Sequence, residues 1–132
     1  MRCMLDTNIC IQLIKHRPQR LMNRFGRTPV GDIGISAITL AELEYGAAKS
    51  SRPNQNREAL RGFISPLEVA SFDSSATAAY GRIRALLERK GLIIGSMDLA
   101  IAAHAISLGV RLITNNEAEF KRVPGLPVDN WI

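Results

Sequence analysis

CMLDTNICI, residues 3–11, sets an apolar run against Asp6, Thr7 and Asn8 and then turns apolar again. Cys3, Met4 and Leu5 are predicted to end a short buried strand. Ile9, Ile11, Leu13 and Ile14 recur instead as one side of a helix. Asp6 therefore stands at a strand-to-helix junction, where two occupations are open to a carboxylate. It can accept hydrogen bonds from the unpaired N–H groups of the helix start. Alternatively, it can hold a metal ion at the carboxyl end of a central strand, where open α/β sheets place their ligands.

The same alternation continues outward from this junction. Arg2–Leu5, Ile33–Ser36, Leu67–Ser71 and Arg111–Thr114 read as strands, and Ile38–Lys49, Asn56–Ile64, Asp73–Lys90 and Met97–Leu108 as helices. The segment after Asp73 is the clearest, with Ala76, Ala79, Tyr80, Ile83, Leu86 and Leu87 on one face and Gly91 at its end. Ser50–Asn54, SSRPN, reads as a turn between two helices. Strands and helices alternating at this spacing predict an α/β fold, a central parallel sheet flanked by helices on both faces. No repeat, low-complexity tract or linker divides the chain, so residues 1–132 are expected to form a single domain.

Composition narrows the function classes. Hydrophobic residues make up 46% and charged residues 22%, a globular rather than a disordered profile. No apolar run reaches the roughly 18 residues needed to span a bilayer. Leu92–Leu112 comes nearest and is broken by Asp98 and His104. Asp6 and Asn8 interrupt what would be a signal peptide's apolar core, so a cytoplasmic protein is expected, without a membrane partner. Cys3 and Cys10 lack metal-site spacing and fit small buried hydrophobes in a reducing compartment. Seventeen basic residues oppose twelve acidic ones, and thirteen of the seventeen are arginine. Arginine's planar fork suits phosphate and stacks on bases, which points toward nucleic acid. Arg20, Arg24 and Arg27 form a stripe if their segment is helical, a candidate RNA-binding face or simply a solvated one.

With only twelve acids, each can be asked what it does. Glu58 and Glu88 lie at helical spacing from Arg61 and Arg84, Asp73 is a good N-cap, and Asp32, Glu68 and Asp129 fall in turns, a strand start or the terminus. Glu42 is harder to place. In SAITLAELEYG it shares a helix face with Ile38 and Tyr45, where a carboxylate is half-buried and wants a partner such as arginine. Asp98 lies in the first turn of a helix that is apolar on nearly every side, and Ser96 is available to cap that turn. His104 lies roughly 240° round the same helix from Asp98 and reads as a core histidine. If Asp6, Glu42 and Asp98 converge, their repulsion calls for a divalent cation, and all-oxygen ligands favour Mg²⁺ or Mn²⁺ over zinc. An acidic metal cup on an arginine-rich protein suits phosphodiester hydrolysis.

These residues carry a resemblance over essentially the whole chain. MLDTNICI, ISAITLAELEYGA, IGSMDLAIAAHAISLG and LITNNEAEFKRVPGL, in that order, resemble the motifs of VapC toxins, the PIN-domain ribonucleases of type II toxin–antitoxin systems. The resemblance implies a PIN-domain fold, RNA cleavage with Mg²⁺ or Mn²⁺ held by Asp6, Glu42 and Asp98, and a VapB-type antitoxin. It also implies a homodimer and a toxin–antitoxin hetero-oligomer, with a structured RNA such as tRNA as a substrate. The chain departs from the family where a fourth acid often follows the late strand. Here Thr114, Asn115 and Asn116 precede Glu117 and Glu119. Asn116 or Glu119 could serve there through a water, and Thr7 could orient Asp6 or bind phosphate. A non-catalytic RNA-binding module is the competing expectation, but such a module has no use for three acids facing phosphates. No P-loop, dinucleotide-binding glycine pattern or DxD after the first strand supports a phosphatase or dehydrogenase.

Overall fold

In a computed structural model that describes every residue from Met1 to Ile132, five short strands form one wholly parallel sheet. They are β1 (Cys3–Leu5), β2 (Ile33–Ser36), β3 (Glu68–Ala70), β4 (Arg111–Ile113) and β5 (Val128–Asp129), in the spatial order β3-β2-β1-β4-β5. The α/β expectation holds. β5, which has no apolar run to announce it, was not expected from sequence, and the other strands are up to two residues shorter than expected.

Seven α-helices connect and cover the sheet: α1 (Thr7–Ile11), α2 (Gln19–Arg27), α3 (Ala37–Lys49), α4 (Pro53–Ile64), α5 (Ser74–Lys90), α6 (Ser96–Leu108) and α7 (Glu117–Phe120). After α1 the chain loosens into a π-helical turn, Gln12–His16, which ends on Arg17 in the left-handed region at φ 50°. Pro53 and Asn54 belong to α4 rather than to the preceding turn. Proline at a helix's first position loses no hydrogen bond, because that N–H has no partner in any case.

Alternation along the strands divides the core between two layers. Met4 and Leu112 point to one face and pack with Ala79, Ile83 and Leu87 of α5 and with Leu99 and Ile101 of α6. Leu5, Ile33, Ile35 and Ile113 point to the other, against Ile9, Leu21, Leu43 and Leu60 of α1 to α4. Helices therefore cover both faces, as expected. Each large aliphatic side chain buried in this way contributes about 1.5–3 kcal/mol. One close approach demands glycine: a Cβ on Gly34 of β2 would lie 2.8 Å from the Glu68 carbonyl oxygen on β3. No helix is long and apolar enough to cross a membrane.

From β1 the chain works outward through β2 and β3, then returns to the other side of β1 for β4 and β5. The carboxyl ends of β1 and β4 thus flank the crevice where strand order reverses, the usual ligand position of an open α/β sheet.

Candidate metal centre

Asp6 leaves β1 at that crevice and is 4% exposed. Its Oδ1 accepts the Ile9 N–H at 2.8 Å, so the helix-cap occupation is real. The carboxylate also takes a hydrogen bond from Thr114, at the end of β4. Burial raises its pKa most; the bonds from Thr114 and Ile9 oppose this, and the charge of Glu42 adds to it. A cap alone needs no second acid nearby.

Glu42 comes from α3, and the partner it required is a hydroxyl rather than an arginine. Thr7 Oγ1 donates to Glu42 Oε1 at 2.6 Å and lies 3.3 Å from Thr39 Oγ1. The helix face differs from expectation too. Thr39, Leu43 and Ala47 point into the core, whereas Tyr45 is 65% exposed, its ring beneath the Lys49 ammonium. Glu42 sits at the margin of that inward stripe. Thr7 thus acts on Glu42, not on Asp6.

Asp98 occupies the first turn of α6 without serving as its cap. Gly95 is the N-cap position and offers no side chain, and Ser96 is already the first helical residue, so the expected serine cap is not made. The Asp98 carboxyl is pushed up to about 7 from an ordinary 3.8. Burial is the largest cause; next come the charge of Glu119 and a hydrogen bond shared with it, then Asp6 and Glu42.

Glu119 therefore faces Asp98 rather than the basic surface. Its Oε1 accepts the Gly95 N–H at 3.1 Å, and its Oε2 accepts from the Asn116 amide. The cations beside it in sequence look elsewhere: Lys121 Nζ lies 3.9 Å from Glu117, and Arg122 donates to the Ile93 carbonyl at 2.9 Å. Asn116 is exposed and holds Glu119 in place. The short helix α7, not anticipated from sequence, turns Glu119 back toward α6.

Four carboxylates, Asp6, Glu42, Asp98 and Glu119, thus gather at the crevice, and none forms an ion pair with lysine or arginine. No three His, Cys, Asp or Glu side chains close on one point as a finished cage would. Asp6, Glu42 and Glu119 are instead each held by a donor of the protein. That donor set fits a hard cation such as Mg²⁺, which keeps several waters and takes one or two carboxylates together with substrate phosphates. It does not fit a zinc cage.

The arginine stripe lies on α2. Arg20 and Arg27 are exposed, but Arg24 lies 3.5 Å from Asp129 and 5.4 Å above the Trp131 ring, so it also secures the C-terminus. Glu88 pairs with Arg84 at 2.8 Å as expected, whereas Glu58 and Arg61 form no ion pair. Thr114, buried at the end of β4, and Thr39 escaped the sequence reading. The only signal was a threonine closing an apolar strand, in LITNN. Beside Glu42 an open groove runs between the end of α1, α3 and α4, lined among others by Ile11, Ile14, Leu43 and Leu60.

An open parallel sheet with an acidic crevice at its switch point is the arrangement of a PIN domain, and the family model described as PIN domain matches residues 3–126. A ribonuclease VapC2 of Rickettsia felis is 47% identical over 97% of this chain and 96% of its own length. A tRNA(fMet)-specific endonuclease VapC of Salmonella typhimurium is 46% identical over 99% of this chain and 98% of its own. The crystal structure of DNA-bound VapBC from Salmonella typhimurium superimposes with a TM-score of 0.96 at 45% identity, covering 100% of this chain and 99% of that one. The chain belongs to the PIN-domain family and, within it, to the VapC ribonuclease toxins of VapBC toxin–antitoxin systems. A purely RNA-binding module is thereby set aside.

Proposed function

We propose that Asp6, Glu42 and Asp98, with Glu119 beside Asp98, hold Mg²⁺ or Mn²⁺ for the hydrolysis of RNA phosphodiester bonds. The observation that carries this reading is the gathering of four carboxylates without a cationic partner on a protein of net charge +5. When bound, the cation supplies positive charge to phosphate oxygens and acidifies a water for attack on phosphorus. The chain's own residues prepare for it. Thr7 fixes one oxygen of Glu42 and leaves the other free. The Ile9 N–H and the Thr114 hydroxyl fix Asp6. Burial and the neighbouring Glu119 hold the Asp98 carboxyl up to about 7, so a cation in the crevice would favour its ionised form.

Cys10, near Asp6, is fully buried and its thiol is held well above the usual range by that burial. The Thr7 and Thr114 hydroxyls are engaged by Glu42 and Asp6, so none of the three is free to act as a covalent nucleophile. Water is then the nucleophile, and the products carry a 5′-phosphate and a 3′-hydroxyl. Incubating the protein with total RNA, in Mg²⁺ or in EDTA, and mapping the cut ends tests this. Cleavage that survives EDTA, or ends in a 2′,3′-cyclic phosphate, overturns it.

The substrate class we infer is structured RNA such as tRNA, supported by relatives described as tRNA(fMet)-specific endonucleases. Arg20, Arg24 and Arg27 supply phosphate contacts, and Asn116 serves the site by orienting Glu119. A VapB-type antitoxin restrains the enzyme, supported by relatives solved as VapBC complexes on DNA and by the apolar groove beside Glu42. The toxin works in the cytoplasm as one domain, residues 1–132, that pairs with itself and with antitoxin. Expression of the toxin alone should stop growth, and co-expression of its antitoxin should restore it; harmless expression at high level counts against this assembly.

A further inference from the structure

His104 is 1% exposed, deep in α6, and no step described so far uses it. Its Nδ1 lies 2.8 Å from Ser36 Oγ, and Ser36 is the N-cap of α3, where Oγ accepts the Ile38 N–H at 3.0 Å. Ser36 Oγ already accepts the Ile38 N–H, and with the ring proton on Nε2 its own hydroxyl proton finds an acceptor in Nδ1. Nε2 is buried without a hydrogen-bond partner of its own. The other groups facing the ring are the Phe72 edge, with centroids 5.2 Å apart, the Ser71 carbonyl and the Asp73 carboxylate. The last two favour a cation, and burial outweighs them to keep the imidazole neutral.

The contact has a definite place relative to the acids. Ser36 lies six residues before Glu42 on α3, and His104 lies six residues after Asp98 on α6. Six helical residues span about 9 Å, so each acid rides on a short rigid rod whose other end is in this contact. Thr7 ties α3 to α1 through Thr39 and Glu42, and His104 supplies the corresponding tie between α3 and α6.

We propose that His104 is a positioning residue that, by accepting the Ser36 hydroxyl proton at Nδ1, fixes the start of the Glu42 helix against the Asp98 helix and thereby sets the spacing of the two acids. The proposal rests on Glu42 and Asp98 belonging to the metal site. It gives a buried polar pair in an otherwise apolar layer a function that a leucine packed in the same volume could not perform.

Nitrogen NMR on the intact wild-type protein should find the neutral Nε2–H tautomer at His104; the Nδ1–H tautomer overturns the proposal. His104→Leu and His104→Asn should next be compared, because the asparagine oxygen falls near the position of Nδ1 and can take the Ser36 proton. Each variant is titrated with Mg²⁺ twice, by the rise in melting temperature without RNA and by cleavage. His104→Leu should raise the Mg²⁺ midpoint about fivefold, the worth of one ordinary hydrogen bond, and lower kcat at unchanged KM for RNA. His104→Asn should recover most of both. A midpoint unmoved in the leucine variant, or no recovery in the asparagine one, overturns the proposal. Should His104→Leu fail to fold, Ser36→Ala against Ser36→Thr makes the same comparison from the other side. Glu42→Gln separates the two ideas. If it too leaves the Mg²⁺ midpoint unchanged, the metal site itself has been misassigned; if it shifts the midpoint and His104→Leu does not, only the positioning role falls.

Discussion

Asp98→Asn should abolish cleavage and, without metal, make the protein more stable. In the folded protein the Asp98 carboxyl titrates near 7, against an ordinary 3.8. The folded state therefore holds a proton that the unfolded chain has released between these values, and stability falls as pH rises from about 4 toward about 7. Were the side chain wholly shielded from water, the difference would be about 4 kcal/mol. Asp98 is only half-buried, and screening reduces the expected penalty to about 1–2 kcal/mol above neutrality. Asparagine occupies almost the same volume and carries no charge, so in EDTA at about pH 8 the variant should melt roughly 3–8 °C above wild type. At about pH 3.5, below the ordinary value of the unfolded carboxyl, Asp98 is largely protonated in both states, and the gap should nearly close. Mg²⁺ at about a hundred times its Kd should stabilise wild type by about 2.7 kcal/mol and the variant far less. Four melts, two pH values by two proteins in EDTA, followed by a Mg²⁺ series, contain the whole test. A variant that melts below wild type at the higher pH, or a gap that ignores pH, would show that Asp98 is a structural partner and refute the repulsion.

Other perturbations probe the remaining parts. Thr7→Val removes the hydroxyl that Glu42 accepts from at 2.6 Å, and should cost about 1–3 kcal/mol of stability by denaturant melts and at least tenfold in cleavage, with Thr7→Ser restoring both. Replacing Arg20 and Arg27 with alanine should lower the slope of log affinity for RNA against log salt by about 1–2 and leave the melting temperature alone. Adding Arg24→Ala should also destabilise the fold, because that guanidinium pairs with Asp129 and covers Trp131. Gly34→Ala should lower stability by about 1–3 kcal/mol with the Mg²⁺ midpoint unchanged, since its Cβ meets the Glu68 carbonyl of β3, which contributes nothing to the acidic crevice.

Most of the fold was legible because burial writes itself into hydrophobic pattern. β1, β2, α5 and α6 carry apolar runs or stripes whose period names the element, and their bounds fell within a residue or two. β5 and α7 were not legible, because two and four residues are too few to show a period. Their places are set by β4 and by contacts from chain far away in sequence. The acids divide along the same line. Asp6 and Asp98 stand out because each interrupts an apolar element, whereas Glu119 sits among charged residues in NEAEFKR, where its neighbours suggest a solvated surface. What distinguishes it is the Gly95 N–H, twenty-four residues away. Nor could the Thr7–Glu42 pair be read, since a helix-start threonine looks the same whichever carboxylate it serves.

The rest of the charge on the molecule gives the acidic crevice its meaning. Elsewhere six of the other eight acids find cations or caps: Asp32 lies by Arg2, Glu68 by the amino terminus, Glu88 by Arg84, Glu117 by Lys121 and Asp129 by Arg24, while Asp73 caps α5; Glu44 and Glu58 form no ion pair. Seventeen basic side chains were available, yet not one arginine or lysine is placed among the four crevice acids. An arginine there would lower the Asp98 pKa and stabilise the fold, but it would also occupy the place where a phosphate and its counter-charge must meet. The net positive surface draws RNA in over a Debye length of about 8 Å, and the crevice repels the same phosphates at contact. Under the proposed function, a cation held by the carboxylates would reconcile the two fields. On the proposed reading, attraction to RNA and competence to cut it reside in separate parts of the molecule, and the second would depend on a metal that the first does not need.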